Sequence, residues 1–198
     1  FASDYREAAP SKAFRDMFLD SLKNVIPNLS MKGALAAGVP GSVAGMYDAF
    51  TKYSKLKNWK LLIEPSIKIA KNGFIITNQE ANNLNRLKPE FVKYNHHKTA
   101  FVKDSLWHPG EKLVQKDLAK TLALIKKKKK DGCYKGKIAD LIVSEMQKGN
   151  GLISSSDLLQ YKAKDRPLIS FNYKGYDIYS MSPPSSGGIA LLQIMKMI

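Results

Sequence analysis

Two β-rich runs flank Lys174-Gly175, Leu-Ile-Ser-Phe-Asn-Tyr before it and Tyr-Asp-Ile-Tyr-Ser-Met after it. They restrict the fold more than any other stretch of this sequence. Aromatic and β-branched residues on both sides of a dipeptide that accepts left-handed backbone predict a β-hairpin over 168–181. Pro183-Pro184 stops the second strand, and Gly187-Gly188 leads into an apolar, helix-patterned run. The pattern further upstream has helical period, so neither an all-α nor an all-β chain fits. The predicted class is α+β, helix-rich in the middle with strands at both ends.

Residues 1–10 read as the end of a strand running into a loop, which places Arg6 at the strand exit. Pro10 is suited to open a short helix over 11–18. A turn at Gly38-Val39-Pro40-Gly41 opens a helix through about residue 52, on which Gly41, Gly45 and Ala49 recur at fourth-residue spacing and permit close packing. Further helices are expected over 65–71, stopped by Asn72-Gly73, and over 115–128 and 134–148. Thr77-Asn78-Gln79-Glu80 has capping-box spacing, and Ser154-Ser155-Ser156-Asp157 caps another short helix.

The net charge of +15 raises the question of an acidic partner. Of 32 basic residues only Arg6, Arg15, Arg86 and Arg166 are arginine, the residue favoured for bidentate phosphate grip, and no aromatics interleave with the lysines. Five lysines at 126–130 precede Asp131-Gly132, a pattern expected of a solvated helix end closed by a turn. A lysine-rich, nonenzymatic module that binds polyanions remains the alternative from another class. Nucleic acid is not an expected partner.

No run reaches the roughly 20 apolar residues of a membrane-spanning helix, and no secretory leader opens the sequence. The chain begins at Phe1 and closes inside an apolar run, so residues 1–198 are expected to be a single incomplete domain. Cys133 is the only cysteine, which excludes an internal disulfide and makes it a small semi-buried filler. The glycines around Ser42 are misplaced for a serine-hydrolase elbow, and no phosphate or dinucleotide loop is present. His96, His97 and His108, even with Asp104 or Glu111, lack the spacing of a structural metal site, so no metal and no cofactor is expected.

Asp4-Tyr5-Arg6-Glu7-Ala8-Ala9-Pro10 and Ser180-Met181-Ser182-Pro183-Pro184-Ser185-Ser186-Gly187-Gly188 are more specific. With Ala37-Gly38-Val39-Pro40-Gly41-Ser42-Val43-Ala44-Gly45, Leu118-Ala119-Lys120-Thr121-Leu122, Tyr134-Lys135-Gly136-Lys137-Ile138-Ala139, Gly151-Leu152-Ile153 and Tyr161 in order between them, they resemble the large subunit of the γ-glutamyltranspeptidases. That family belongs to the N-terminal-nucleophile hydrolases. Departures are mild: Ser42 where threonine is frequent, Ser182 for proline, Cys133 for an aromatic.

The resemblance implies cleavage of the γ-glutamyl amide of glutathione and related compounds, with transfer to water, an amino acid or a peptide. It also implies an αββα sandwich completed by the protein's own small subunit after self-cleavage, a threonine nucleophile beyond residue 198, and a periplasmic or secreted location. Made without its partner strands, the chain is expected to expose unpaired edges and apolar faces.

By position, Arg6 is implied to grip the substrate α-carboxylate, for which a planar guanidinium fork is suited. Taken by itself, Arg6 reads first as one half of a surface pair with Asp4 or Glu7. Glu7 is either an orienting neighbour or a solvated carboxylate. Ser185 and Ser186 read as loop and cap residues, not as binding residues. Acylases that remove glutaryl groups and depolymerases of poly-γ-glutamate share the pattern and remain the nearest alternatives.

Overall fold

The computed structural model describes residues 2–198; Phe1, the first residue of the expected leading strand, lies outside the described residues. The chain begins with β1 (Ala2–Asp4) and a long, turn-rich loop that includes a 3₁₀ turn at Ala34–Ala36. Next come α1 (Ser42–Tyr53), α2 (Trp59–Asn72), β2 (Phe74–Ile75), α3 (Asn78–Tyr94) and β3 (Lys112–Leu113). A helical block follows, α4 (Lys116–Lys128), α5 (Asp131–Tyr134), α6 (Lys137–Lys148) and α7 (Ser155–Gln160). The chain then runs through β4 (Lys164–Arg166), β5 (Ile169–Tyr173) and β6 (Tyr176–Ser180) into α8 (Gly187–Met197). The class is α+β, with β1 at the start and β4 to β6 just before the closing helix.

Among the described residues the strands pair as three antiparallel ribbons, β1 with β4, β2 with β3, and β5 with β6. The ribbon that matters for the site joins residues far apart in the chain, with Ala2 opposite Arg166, Ser3 opposite Asp165 and Asp4 opposite Lys164. The hairpin closes at Lys174 and Gly175, both with positive φ, at 49° and 86°.

The main core gathers Val39, Ala44, Trp59, Ile125, Cys133, Tyr134, Ala139, Ile153 and Leu158, from the turn before α1, from helices α1, α2, α4, α5, α6 and α7, and from the segment leading into α7. Leu158 has no exposed surface, and full burial of such a side chain contributes about 1.5–3 kcal/mol. A second cluster, Ile76, Ala81 and Leu113, lies beneath the β2–β3 ribbon and the start of α3. The small-residue stripe of α1 is used as expected. A methyl group at Gly45 would collide with the Tyr5 side chain, so the loop after β1 lies directly on that helix.

Both capping boxes form. Thr77 accepts from the Glu80 amide while Glu80 accepts from the Thr77 amide, and Ser154 and Asp157 do the same at α7. Four local expectations are overturned, each by longer-range contacts. Residues 11–18 form turns instead of a helix: the Ser11 amide donates to Asp157 at 2.8 Å, and Asp20 accepts from the Leu22 and Asn24 amides. The two Asp20 bonds close the reversal that forms the Leu19–Val25 bridge.

The helix expected over 65–71 begins at Trp59, with Pro65 inside it. Buried Trp59 donates its indole N–H to the Ile125 carbonyl at 3.1 Å, and packing of α2 on α4 overrides the proline penalty. The helix expected over 134–148 is split. Tyr134 is buried and donates its hydroxyl to the Pro40 carbonyl at 2.7 Å, and the chain then turns through Gly136 at φ 61° before α6 begins. Asp131-Gly132 does not close α4 but opens α5. Lys129 takes the left-handed conformation instead, its ammonium 5.7 Å from the Tyr47 ring centre.

Cys133 is buried in the main core, more fully than a semi-buried filler requires. Among the described residues no helix is long and apolar enough to cross a membrane. Tyr176, Tyr179, Ile194 and Met197 lie exposed on the hairpin and α8.

Candidate functional site

Arg6 stands two residues past the end of β1, and its backbone is fixed on both sides. The Arg6 amide donates to Asp4 Oδ1 at 3.2 Å, and the Arg6 carbonyl accepts from the Tyr161 hydroxyl at 2.6 Å. Two residues on, Ala8 and Val39 exchange backbone hydrogen bonds of 3.2 and 2.8 Å. The strap from Tyr5 to Ala8 is thus held between the segment after α7 and the turn before α1. Gly41, first on the small-residue stripe, allows the closeness, because a Cβ there would overlap both the Tyr161 hydroxyl and the Tyr5 carbonyl oxygen.

The Arg6 guanidinium is far less committed than its backbone. Nη1 donates to the Pro184 carbonyl at 3.4 Å. Nη2 stands 3.8 Å from Glu7, with both side chains more than half exposed, at 57% and 62%. An exposed pair at that distance contributes close to nothing. The surface partnership with Asp4 does not form through the head group, since Asp4 is occupied by Arg166. Both Arg166 Nε and Nη2 donate to Asp4 Oδ2, at 3.0 and 2.8 Å.

Arg6 lines an open cleft of about 690 Å³ together with Glu7, Asp157, Tyr161, Lys164 and Arg166. It also lines a smaller hollow of about 390 Å³ shared with Ser42, Met181 and Ser185. Ser186 sits at the N-cap of α8 but makes no side-chain capping bond, which corrects the cap expectation.

Asp4 and Asp157, along this cleft, are charged near neutrality. The Arg166 guanidinium beside Asp4 holds its carboxyl below the usual range, burial opposes this, and the Arg6 amide adds to the lowering. Burial pushes the Tyr161 hydroxyl up, with a further contribution from the negative charge of Asp4 and Glu7, so this hydroxyl keeps its proton for the Arg6 carbonyl. At Asp157 burial acts upward, yet the hydroxyl and amide of Ser154 and the amide of Ser11 overcome it and bring the pKa from 3.8 to about 2.

A depressed folded-state pKa means that the stabilisation from Asp157 is complete above the ordinary value of 3.8 and is lost as pH falls toward about 2. Asp157→Ala is therefore expected to cost about 1 kcal/mol near neutrality, as loss of a helix cap does. Melting curves of the intact protein and the variant should converge as the acid limit is approached. A constant difference across that range would contradict the titration.

The histidines lie away from the cleft. His96 Nδ1 is 3.0 Å and His97 Nδ1 3.7 Å from Glu145, and the His108 amide donates to Glu111. Among the described residues no group of three His, Cys, Asp or Glu could hold a metal ion.

Residues 2–198 match the family model described as gamma-glutamyltranspeptidase. The chain belongs to the γ-glutamyltranspeptidase family. It is 43% identical over 199 residues to the glutathione hydrolase proenzyme of Escherichia coli (strain K12), covering 100% of this chain and 34% of that relative. The crystal structure of Helicobacter pylori gamma-glutamyltranspeptidase superposes with a TM-score of 0.94 at 47% identity, over 98% of this chain and 56% of that one. Gamma-glutamyltranspeptidase from Pseudomonas nitroreducens, complexed with L-DON, superposes with a TM-score of 0.86 at 40% identity, over 97% and 56%. The chain thus spans about a third of the length of the curated relatives it matches.

Within the γ-glutamyltranspeptidase pattern, Arg6 is the residue expected at the site, and in the structure it is one of the residues lining the cleft of about 690 Å³. Arg166 is missed by that reasoning. Its partner Asp4 is 162 residues away, and nothing local in Lys-Asp-Arg marks the pairing. Tyr161 falls within the matched motifs, but only the fold shows that its hydroxyl supports Arg6.

Proposed function

We propose that this chain is part of an enzyme that cleaves the γ-glutamyl amide of glutathione and related compounds and passes the acyl group to water, an amino acid or a peptide. The observation that carries the reading is a family arginine, Arg6, whose backbone is fixed at both peptide groups while its guanidinium remains exposed beside a cleft. A fork held that way is suited to the α-carboxylate of a γ-glutamyl group, through two parallel charge-assisted hydrogen bonds.

In this reading the nucleophile is a threonine outside residues 1–198, made an N-terminus by self-cleavage, and the small subunit released in that step is the partner of this chain. The threonine hydroxyl attacks, its α-amine accepts the proton, and backbone amides stabilise the oxyanion, so no cofactor is called for. The residues described above bind and position the substrate. The same reading puts the enzyme in the periplasm or outside the cell.

Release from a γ-glutamyl anilide and from a glutaryl anilide by the intact protein tests the substrate class, since the two differ by the α-amino group. The γ-glutamyl compound is expected to be cleaved faster by about tenfold or more, because a site built for a polar group rejects an analogue lacking it. Equal rates, or preference for the glutaryl compound, would indicate an acylase instead.

A further inference from the structure

One carboxylate links the last strand of the β1–β4 ribbon to the residue assigned above to the substrate. Asp4 is only 9% exposed, and its two oxygens have separate duties. Oδ2 takes both bonds from Arg166, at 3.0 and 2.8 Å, which leaves Oδ1 for the Arg6 amide at 3.2 Å. Tyr161, five residues before Arg166, holds the Arg6 carbonyl at 2.6 Å. The peptide groups on both sides of Arg6 are therefore held from one segment, directly by Tyr161 and through Asp4 by Arg166.

Arg6 needs such support because, among the described residues, its own head group makes only long, exposed contacts. Without fixed peptide planes its long stem would sweep the fork across the open cleft, and the lost entropy would be drawn from substrate binding. Lysine in place of Arg166 could not reproduce the arrangement. An ammonium on a flexible stem presents its donors from a single atom, whereas Nε and Nη2 of arginine both donate to Oδ2 from one rigid planar fork.

We propose that Arg166, acting through Asp4, is a positioning residue for Arg6 and so sets the affinity for the γ-glutamyl donor without touching it. The proposal rests on the reading of Arg6 as the carboxylate anchor. It assigns Arg166 a duty beyond holding two short strands together, and the two duties predict different kinetics. A ribbon pin would act on stability and on the amount of folded enzyme. A positioning residue acts on donor KM, and only while Arg6 is present to be positioned.

The test is a double-mutant cycle in the intact protein, with a γ-glutamyl anilide as donor, reading KM, kcat and melting temperature for Arg166→Ala, Arg6→Ala and the pair. Arg166→Ala is expected to raise donor KM about tenfold, as misplacement of a binding group does, and to change kcat by less than about twofold. Added to Arg6→Ala, it should change KM no further. If Arg166→Ala lowers the yield of folded protein, Arg166→Lys reads the same effect at about threefold.

Unchanged KM in a folded Arg166 variant would overturn the proposal, and so would effects that multiply in the double variant, which would mark a purely structural role. Unchanged KM in Arg6→Ala would instead remove the anchor reading, and the positioning role with it. An Arg6 effect without an Arg166 effect would leave the anchor standing and remove only the positioning role.

Discussion

Arg6→Ala in the intact protein is expected to raise KM for a γ-glutamyl donor by about a hundredfold. The figure follows from two charge-assisted hydrogen bonds to a carboxylate at roughly 1.5 kcal/mol each, about 3 kcal/mol in total, and each 1.4 kcal/mol is a factor of ten. Arg6→Lys keeps the charge and loses the fork, so it should recover part of the loss and stand about tenfold above the unmodified protein. Neither change should shift the melting temperature appreciably. The guanidinium makes one bond of 3.4 Å and one ion contact of 3.8 Å, both at the surface, and exposed substitutions of that kind fall within about 0.5 kcal/mol. A stable Arg6→Ala protein with unchanged donor KM would show that the α-carboxylate is held elsewhere.

That separation of binding from stability reflects how the strap is built, and it also explains which parts of the molecule are legible in the sequence. The Thr77–Glu80 and Ser154–Asp157 boxes are readable because each closes within four residues. The hairpin is readable because Lys174-Gly175 supplies positive φ between two β-rich runs. The close approach of α1 is readable too, since Gly41 and Gly45 leave room for whatever packs there.

Local pattern fails where a distant partner decides. Pro65 looks like a helix start until buried Trp59, bonded to Ile125 on α4, fixes the preceding turn as helix. Residues 11–18 look helical until Asp157, 146 residues away, takes the Ser11 amide. Tyr134 joins the following helix by periodicity, yet its buried hydroxyl on Pro40 imposes a break at Gly136. The site divides along the same line. Arg6 and its loop position are legible through the motif order, whereas the Asp4–Arg166 pair and the Tyr161 hydroxyl depend on a ribbon that brings residues 2–4 beside residues 164–166.

Gly41→Ala gives the second large effect, and it tests whether the strap is held as tightly as its contacts imply. Gly41 has φ −111°, a conformation open to any residue, so backbone strain plays no part and only the space matters. A methyl group there would overlap the Tyr161 hydroxyl and the Tyr5 carbonyl oxygen. The hydroxyl can retreat only by giving up its 2.6 Å bond to Arg6, and the carbonyl only by moving the strap. Overpacking of this kind costs about 1–3 kcal/mol, and the broken bond adds about 1 kcal/mol. Denaturant unfolding of the intact protein should report that loss, and donor KM should rise along with it because Arg6 moves with the strap. Tyr161→Ala in the same chain removes both the clashing hydroxyl and the ring carbon that carries it, so the double variant should be less destabilised than the sum of the single changes. Additive losses would mean that the methyl is resisted by the Tyr5 carbonyl and not by Tyr161, and the support for Arg6 would then come from Asp4 and Arg166.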